Sequence, residues 1–293
     1  MGRAKSVYLH VPFCEAKCPY CAFSSDVKRP GDEELYLRCL AREMSLKACA
    51  VSEADTFYIG GGTPSVLSPD GWRKLTDLIE KYFSFSKGAE VTAEANPSSM
   101  KPEHLSIWRD WRVSRVSIGV QSFDDRRLEF LGRVHSAEQA GSAVNSCLGM
   151  GFSVSLDLMF GLPGESTRDW GLDLRAASAL KPHHISIYQL TVEPETRFAE
   201  KNFRLPDGYA QYRYAQWALP RAGYEQYEVA SFSVPGHESR HNLNYWGDGE
   251  YLGLGPSAWS CLGGSRSKNA ASLGEYAASD AGSRPEFSER PAP

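Results

Sequence analysis

The chain has 293 residues, of which 42% are hydrophobic, and this is enough for one large domain with a small addition. Its net charge is -4 and its pI is about 6.0, which argues against a nucleic-acid-binding protein, because binding to phosphates requires a basic surface. No apolar run reaches the ~18 residues needed to span a bilayer. Since the residues before the first cysteine also lack the pattern of a signal peptide, we expect a cytoplasmic protein.

Short strand-like segments alternate with amphipathic helical segments along the chain. The predicted strands cover residues 7–11, 56–59, 90–94, 113–118, 153–158 and 185–190. The predicted helices between them include residues 33–46, 70–83, 137–150 and 167–180. Repeated strand–helix units predict a parallel sheet, and six units are too few for the complete eight-stranded barrel. We therefore predict an α/β fold, a partial (β/α)6 barrel with its functional site at the carboxyl ends of the strands.

The second half of the chain predicts two further parts. After the sixth strand, the pattern predicts a helix over 208–219 and one strand over 225–232. From 263 to 293 the chain is rich in Gly, Ser, Ala and Pro, a composition typical of a flexible segment. We expect a barrel core over 1–206, an extension of that core over 207–262, and a flexible tail over 263–293.

Three cysteines, Cys14, Cys18 and Cys21, follow the first predicted strand. Three thiolates this close in sequence suit three corners of a cubane iron–sulfur cluster, which leaves the fourth iron open for another ligand. Zinc is an alternative, but His10 is too close on an extended strand to supply the fourth ligand easily. A structural disulfide is more typical of small secreted domains. The cysteines that occur singly are expected to be small buried hydrophobes, and they are Cys39, Cys49, Cys147 and Cys261.

Other unusual residues also fall at the ends of predicted strands. The run Gly60-Gly61-Gly62-Thr63-Pro64 is neither a Walker loop nor a dinucleotide fingerprint. Its glycines allow the backbone to approach a ligand closely, although a tight turn without a ligand is the alternative. Glu94 ends the third strand, where a carboxylate suits a ligand ammonium or hydroxyl, unless it is simply solvated. Asp157 lies between two leucines on a strand expected to be buried, so it should have a partner.

The spacing C-x3-C-x2-C, with an aromatic residue before the last cysteine, resembles the radical S-adenosylmethionine (SAM) superfamily. The resemblance implies that Cys14, Cys18 and Cys21 hold a [4Fe-4S] cluster whose open iron chelates SAM. It also implies that the Tyr20 ring packs near the adenine and that the glycine run receives the SAM ammonium. In this superfamily the cluster reduces the SAM sulfonium by one electron, which gives methionine and a 5′-deoxyadenosyl radical.

Five segments resemble a narrower family, the HemW-type heme chaperones and the oxygen-independent coproporphyrinogen III dehydrogenases. They read GVQSF, LGRVH, DLMFGLPGES, YQLTVEPET and SRHNLNYW, and the resemblance extends from Tyr8 to about Ser260. The SAM contacts that it implies are Tyr8, Tyr20, Gly61, Gly62, Thr63, Glu94, Gln121, Arg133, Asp157 and Thr191. Trp259 lies at a late contact position where this family commonly has His or another residue.

Two features favour a heme chaperone over the dehydrogenase. The dehydrogenase has another cysteine two residues beyond the third ligand, where this chain has Phe23. It also has a long extension before the motif, whereas thirteen residues precede Cys14 here. The resemblance implies that the dehydrogenase decarboxylates porphyrinogen propionates, and that the chaperone carries heme as cargo to heme-dependent proteins. A low-potential electron donor and a heme-accepting protein are the implied partners.

The run HNLNYW, residues 241–246, provides candidate heme ligands, because heme iron takes an axial His or Tyr. His241 and Tyr245 are four residues apart and share one face if the segment is helical. The alternative is that His241 is a hydrogen-bonded structural histidine and that Tyr245 and Trp246 pack in a core. Chains of this family usually continue into a C-terminal helical domain, which we expect to be absent here.

Overall fold

The computed structural model describes residues 3–201 and 203–279, and the backbone of 287–289. The strands are β1 Ala4–Val11, β2 Phe13–Cys14, β3 Asp26–Val27, β4 Val51–Gly61, β5 Ser84–Ala95, β6 Arg115–Gln121, β7 Ser153–Phe160, β8 His184–Gln189, β9 Glu225–Gln226, β10 Ser231–Ser233, β11 Tyr251–Leu254, β12 Trp259–Leu262, β13 Ser265–Lys268 and β14 Phe287–Glu289. The helices are α1 Asp32–Lys47, α2 Pro69–Tyr82, α3 Pro102–Asp110, α4 Asp125–Phe130, α5 Ala137–Gly149, α6 Thr167–Ala179, α7 Tyr209–Arg221, α8 Arg240–Trp246 and α9 Leu273–Ala278. None of the helices in these ranges combines the length and hydropathy that a membrane crossing requires.

A twelve-stranded sheet forms the centre of the described structure. Its order is β14-β13-β12-β11-β1-β4-β5-β6-β7-β8-β10-β9, and the run from β11 to β8 is parallel throughout. The six predicted strands are confirmed as β1, β4, β5, β6, β7 and β8, and the four predicted helices as α1, α2, α5 and α6. The described sheet does not close on itself, so the fold is a mixed α/β structure with an open, parallel-rich sheet.

Successive side chains point to opposite sides of a strand, so the parallel strands form two faces. These two faces differ in polarity. One face carries apolar residues that pack against the helices in a single core, among them Val7, Leu9, Phe57, Ile59, Val116, Ile118, Leu156 and Leu158. The other face carries mostly polar residues, among them Thr56, Tyr58, Thr92, Glu94, Ser117, Asp157 and Ser186. We call this second surface the polar face, and it positions the candidate site.

The prediction of one strand over 225–232 is wrong. The structure has two short antiparallel strands there, β9 and β10, with Phe232 paired to Gln226. A bend separates them, in which the Glu228 carboxylate accepts a hydrogen bond from the Ala230 backbone N–H at 3.0 Å. This local side-chain bond stabilises a turn where the apolar pattern predicts continuous extended chain.

Regular structure also occurs where the composition predicts a flexible tail. Strand β13 pairs with β12, and α9 follows with Tyr276 fully buried. Glu43 of α1, itself buried, accepts hydrogen bonds from the Asn269 side chain at 2.7 Å, the Tyr276 hydroxyl at 2.5 Å and the Gly255 N–H at 2.7 Å. The bonds from Asn269 and Tyr276, with a further bond from the Lys47 ammonium to Asn269 Oδ1 at 2.9 Å, attach this segment to the first helix. Residues 280–286 and 290–293 of the predicted tail lie outside the described residues.

We predict that Glu43→Ala lowers the free energy of unfolding by about 3–5 kcal/mol, because it leaves several buried donors without an acceptor and removes the carboxylate that pairs with Lys47. Denaturation in urea measures the change. The control is Glu34→Ala on the same helix, where an exposed carboxylate pairs with Arg38 at 2.8 Å. That control should change the free energy of unfolding by less than about 0.5 kcal/mol. Equal effects of the two substitutions would contradict the role given to Glu43.

Candidate functional site

Two backbone hydrogen bonds hold the glycine run beside the segment that leads to the first cysteine. The N–H of Gly62 donates to the carbonyl of Val11 at 2.8 Å, and the N–H of Thr63 donates to the carbonyl of Phe13 at 2.6 Å. A Cβ at position 62 would lie 2.5 Å from the Phe13 carbonyl oxygen, so only glycine fits there. Gly61 has a φ of 112°, a conformation that side chains rarely adopt. The glycines are therefore needed for this close approach.

The three cysteines of the motif are free thiols that line one cavity of about 480 Å³ at the carboxyl ends of the strands. The hydroxyl of Thr63 donates to Cys14 Sγ at 3.6 Å, and Arg133 Nη1 donates to Cys18 Sγ at 3.5 Å. Sulfur accepts more strongly as a thiolate than as a thiol, so both donors favour the charged form that binds metal. The exposed ring of Phe23 lines the same cavity as Cys21.

Arg133 and Asn96 connect these two thiols through one hydrogen-bond chain. Arg133 Nη2 donates to Asn96 Oδ1 at 2.6 Å and to the Gly119 carbonyl at 2.8 Å. Asn96 Nδ2 in turn donates to the Thr63 hydroxyl at 3.1 Å. The buried Nε of Arg133 has no hydrogen-bond partner in the described structure, which leaves a donor for a bound group.

The cavity wall also carries two half-buried carboxylates. Glu94 accepts from the Tyr58 hydroxyl at 2.7 Å and from the Gly61 N–H at 3.0 Å, and burial raises the pKa of Glu94 to about 7. Asp157 accepts from the Ser117 hydroxyl at 3.3 Å, so it has the partner that its place on the strand predicts, and desolvation raises the pKa of Asp157 to about 6. A cationic ligand in the cavity would favour the charged form of both groups.

The structure brings most of the predicted SAM contacts to this cavity. Its described lining includes Tyr20, Gly61, Gly62, Thr63, Glu94, Gln121, Arg133, Asp157 and Thr191. Gln121 has a φ of 68°, which is uncommon for a residue other than glycine and is often found at functional sites.

Two of the predicted contact positions lie away from the described cavity lining. Tyr8 is not part of that lining. Its ring packs against Tyr58, with the centroids 6.1 Å apart. Trp259 is also absent from it. This residue begins β12, and the ammonium of Lys268 on the neighbouring strand lies 6.0 Å from the centre of its ring. The Tyr8 ring thus contacts the lining residue Tyr58, and the Trp259 ring lies near Lys268 of the neighbouring strand.

His10 supports the cysteine segment without taking part in the cavity lining. Its Nδ1 accepts from the Tyr8 hydroxyl at 2.9 Å, and its Nε2 donates to the Ser24 carbonyl at 2.7 Å. Burial lowers the pKa of His10 to about 4, so the imidazole is neutral, and these two contacts fix its tautomer. His10 thus connects β1 to the end of the cysteine segment.

His241 and Tyr245 share one face of α8, as their spacing predicts, but they differ in exposure. His241 is buried, and both ring nitrogens are hydrogen-bonded, Nδ1 to the Thr56 hydroxyl and Nε2 to the Tyr245 hydroxyl, each at 2.8 Å. Burial lowers the pKa of His241 to about 3. Tyr245 and Trp246 are 38% and 60% exposed, so they are not core residues. In this arrangement only Tyr245 of the two candidate heme ligands reaches solvent.

The donor set of the cavity fits an iron–sulfur cluster. Within the described ranges, no three His, Cys, Asp or Glu side chains are grouped so that they could hold one metal ion. A cubane is ligated differently, since each thiolate binds a separate iron atom. The free thiols around the cavity suit a cluster. The unpaired guanidinium nitrogen and the two carboxylates suit a ligand beside it that carries a carboxylate and positively charged groups.

Comparisons with known proteins agree with this chemistry. The family model described as the radical SAM superfamily matches residues 8–177. A protein of Escherichia coli (strain K12) named "Heme chaperone HemW" is 39% identical over 262 residues, which cover 86% of this chain and 69% of that protein. The chain is a HemW-like member of the radical SAM superfamily. A "Heme chaperone HemW" of Bacillus subtilis (strain 168) is 36% identical over 283 residues, covering 93% of this chain and 75% of that protein.

The solved structures support the fold of this radical SAM protein. The structure titled as coproporphyrinogen III oxidase (HemN) from Escherichia coli, a radical SAM enzyme, aligns with a TM-score of 0.84 and 24% sequence identity. The alignment covers 94% of this chain and 69% of that one. At this identity the likeness concerns the fold.

Sequence reasoning did not assign a role to Asn96, Tyr58 or His10. Asn96 gave a signal, because it is a polar residue two positions beyond Glu94, where the third predicted strand ends. Tyr58 also gave a signal. It lies two residues before Gly60 on a predicted strand, and residues two apart on a strand lie on the same face. The role of His10 depends on the fold of the cysteine segment and has no comparable signal in the sequence.

We predict that Gly62→Ala lowers the free energy of unfolding by about 1–3 kcal/mol, because the added methyl group overlaps the Phe13 carbonyl and the backbone must shift. The control is Gly141→Ala in α5, where an added Cβ meets no atom within 4 Å. That change should stabilise the protein by about 0.5–1 kcal/mol, as alanine does in helices. Thermal and urea denaturation measure both values, and a neutral Gly62→Ala would contradict the close approach.

Proposed function

We propose that this HemW-like protein binds a [4Fe-4S] cluster and SAM at the described cavity and acts as a heme chaperone. The observation that carries the proposal is the match to proteins named heme chaperone HemW over 86% of the chain. The cavity supports it, because the three free thiols and the carboxylate of Glu94 line the same cavity. The cytoplasm is the location we propose, with a low-potential electron donor and a heme-accepting protein as partners.

Cys14, Cys18 and Cys21 are the proposed cluster ligands. Donors to a ligating sulfur orient it and tune the potential of the cluster, so Thr63 and Arg133 would have that role at Cys14 and Cys18. When bound, a reduced cluster with an open iron supplies one electron to SAM. The residues around it then serve to hold SAM in one orientation and to exclude water.

The proposed SAM contacts divide by chemistry. Glu94 and Asp157 would offer carboxylates to the ammonium and to hydroxyl groups, and the glycine run lies beside Glu94, which accepts from the Gly61 N–H. Arg133 offers its unpaired Nε–H to the SAM carboxylate. Tyr20 supplies a ring for the adenine, and it is held by Phe198, with the centroids 6.2 Å apart.

For heme we propose Tyr245 as the iron ligand and His241 as its hydrogen-bond partner. Tyr245 is the member of the pair that solvent reaches, whereas both nitrogens of His241 are already engaged. A tyrosine oxygen is a known axial ligand of heme iron. The 2.8 Å contact with His241 Nε2 would hold the tyrosine oxygen in one position. The exposed Trp246 ring is available to cover the porphyrin face.

The alternative function is that of the oxygen-independent coproporphyrinogen III dehydrogenase. The structural neighbour titled as coproporphyrinogen III oxidase supports this alternative at the level of the fold. Phe23 argues against it, because the dehydrogenase has a further cysteine at this position of the motif. The names of the Escherichia coli and Bacillus subtilis relatives also favour the chaperone.

An anaerobic assay separates the two functions. We expect the reconstituted protein to take up heme with a shifted Soret band and to leave coproporphyrinogen III unchanged in the presence of SAM and a reductant. Absorbance spectra measure the uptake, and chromatography of the porphyrinogen measures turnover. Conversion of the porphyrinogen would contradict the chaperone function and support the dehydrogenase function.

We predict that Cys18→Ala abolishes the broad brown absorbance of the reconstituted protein, because a cluster ligand is lost. Iron and sulfide analysis quantifies the loss. The control is Cys49→Ala, which removes an exposed thiol outside the motif and should leave the absorbance unchanged. Retained absorbance in Cys18→Ala would mean that the ligands are misassigned.

We predict that Tyr245→Phe weakens heme binding at least about tenfold and changes the Soret band, because the iron loses its oxygen ligand. Spectroscopic titration with heme measures both effects. The matched control is Tyr209→Phe, since Tyr209 is an exposed tyrosine at the start of α7. If the control and Tyr245→Phe bind heme equally, Tyr245 does not ligate the iron.

A further inference from the structure

Tyr58 lies between the carboxylate of Glu94 and the helix α8. Its hydroxyl donates to Glu94 Oε1 at 2.7 Å. Its ring stacks on the imidazole of His241, with the centroids 5.1 Å apart and the planes inclined by 28°. The same ring also stacks on Tyr8 at a centroid distance of 6.1 Å. Two ring contacts thus determine where the Tyr58 hydroxyl points.

We infer that Tyr58 is a positioning residue that couples α8 to the SAM site, an inference that rests on the proposed function. The Tyr58 hydroxyl holds Oε1 of Glu94 and the Gly61 N–H holds Oε2 at 3.0 Å, so the carboxylate has one orientation. Because the Tyr58 ring stacks on the His241 imidazole, movement of His241 would also move the ring and hydroxyl of Tyr58. Coupling between two binding sites is reciprocal, so a ligand on α8 changes the affinity for SAM and SAM changes the affinity for that ligand.

The start of α8 is anchored to the strand that carries Glu94. The carboxylate of Glu90 on β5 accepts from the backbone N–H of His241 at 3.0 Å and of Arg240 at 3.2 Å. Arg115 of β6 donates to the same carboxylate at 3.3 Å and also to the carbonyl of His237 at 2.6 Å. Glu90 and Glu94 lie on the same face of β5, since they are four residues apart. Helix α8 therefore contacts β5 directly at Glu90 and through Tyr58 at Glu94.

The charge of Glu94 is sensitive to Tyr58. A hydroxyl donor favours the carboxylate form, and this opposes the burial that raises the pKa of Glu94 to about 7. The other titratable groups that act on Glu94 across the polar face are Asp157 of β7, Tyr8 of β1, Tyr188 of β8 and Tyr245 of α8. Because a protonated Glu94 binds a cation poorly, SAM affinity should fall as the pH decreases below about 7.

The test is equilibrium binding of SAM to the full chain, reconstituted anaerobically and checked for its cluster by absorbance. Tyr58→Phe keeps the ring contacts and removes only the hydroxyl. We expect it to weaken SAM binding about tenfold at pH 7 and to move the pH midpoint of binding upward. The matched control is Tyr224→Phe, which removes a buried hydroxyl that donates to the Pro182 carbonyl at 2.9 Å, and it should leave SAM binding unchanged.

A double-mutant cycle tests the connection to α8. His241→Ala removes the ring under Tyr58 and should weaken SAM binding severalfold in the natural chain but not in the Tyr58→Phe background. Equal weakening in both backgrounds would overturn the coupling through Tyr58. An unchanged affinity and pH profile for Tyr58→Phe would overturn it as well, while the proposed SAM site stands. A reconstituted natural chain that binds no SAM would overturn the proposed SAM site, and the inference with it.

Discussion

The candidate site depends on two backbone hydrogen bonds, from Gly62 to Val11 and from Thr63 to Phe13. They join the ends of two neighbouring parallel strands beyond the point where the regular pairing stops. The cysteine segment leaves one of these strands and the glycine run leaves the other, so these bonds bring sulfur ligands and a bare backbone to the same cavity. The remaining contacts, from Asn96, Arg133 and Glu94, add to a geometry that these bonds establish.

The polar face shows how an open sheet accommodates carboxylates. A parallel sheet covered on both sides would bury a carboxylate such as Asp157 among apolar groups, at a high cost in free energy. Here each carboxylate of the face has hydroxyl or N–H donors on neighbouring strands, as Asp157 has in Ser117 and Glu94 has in Tyr58 and Gly61. The buried ion pair of Arg115 and Glu90 continues this pattern toward α8. Each of these carboxylates, half-buried at Glu94 and Asp157 and buried at Glu90, thus has hydrogen-bond donors.

The sequence predicts the parallel strands and the edge at which the site lies, because strand periodicity and strand ends can be recognised locally. It also predicts that Asp157 has a partner. The structure of the segment after residue 263 depends on Glu43, more than 200 residues earlier, and no local pattern reveals such a contact. The different exposure of His241 and Tyr245 likewise depends on Thr56 and Tyr58 of a distant strand. Local patterns therefore find the candidate ligands, and only the tertiary packing separates a buried histidine from an accessible tyrosine.

The pairing of β1 with β11 has a consequence for synthesis of the chain. The first strand is the neighbour of residues 251–254 on one side, and it pairs with β4 on the other. Until residue 254 has left the ribosome, one edge of β1 lacks its partner and exposes unpaired N–H and C=O groups, which favour aggregation. Pairings at such a sequence separation also slow folding, because a long loop must close before they form. In this order of synthesis the first strand keeps one unpaired edge until β11 has been made.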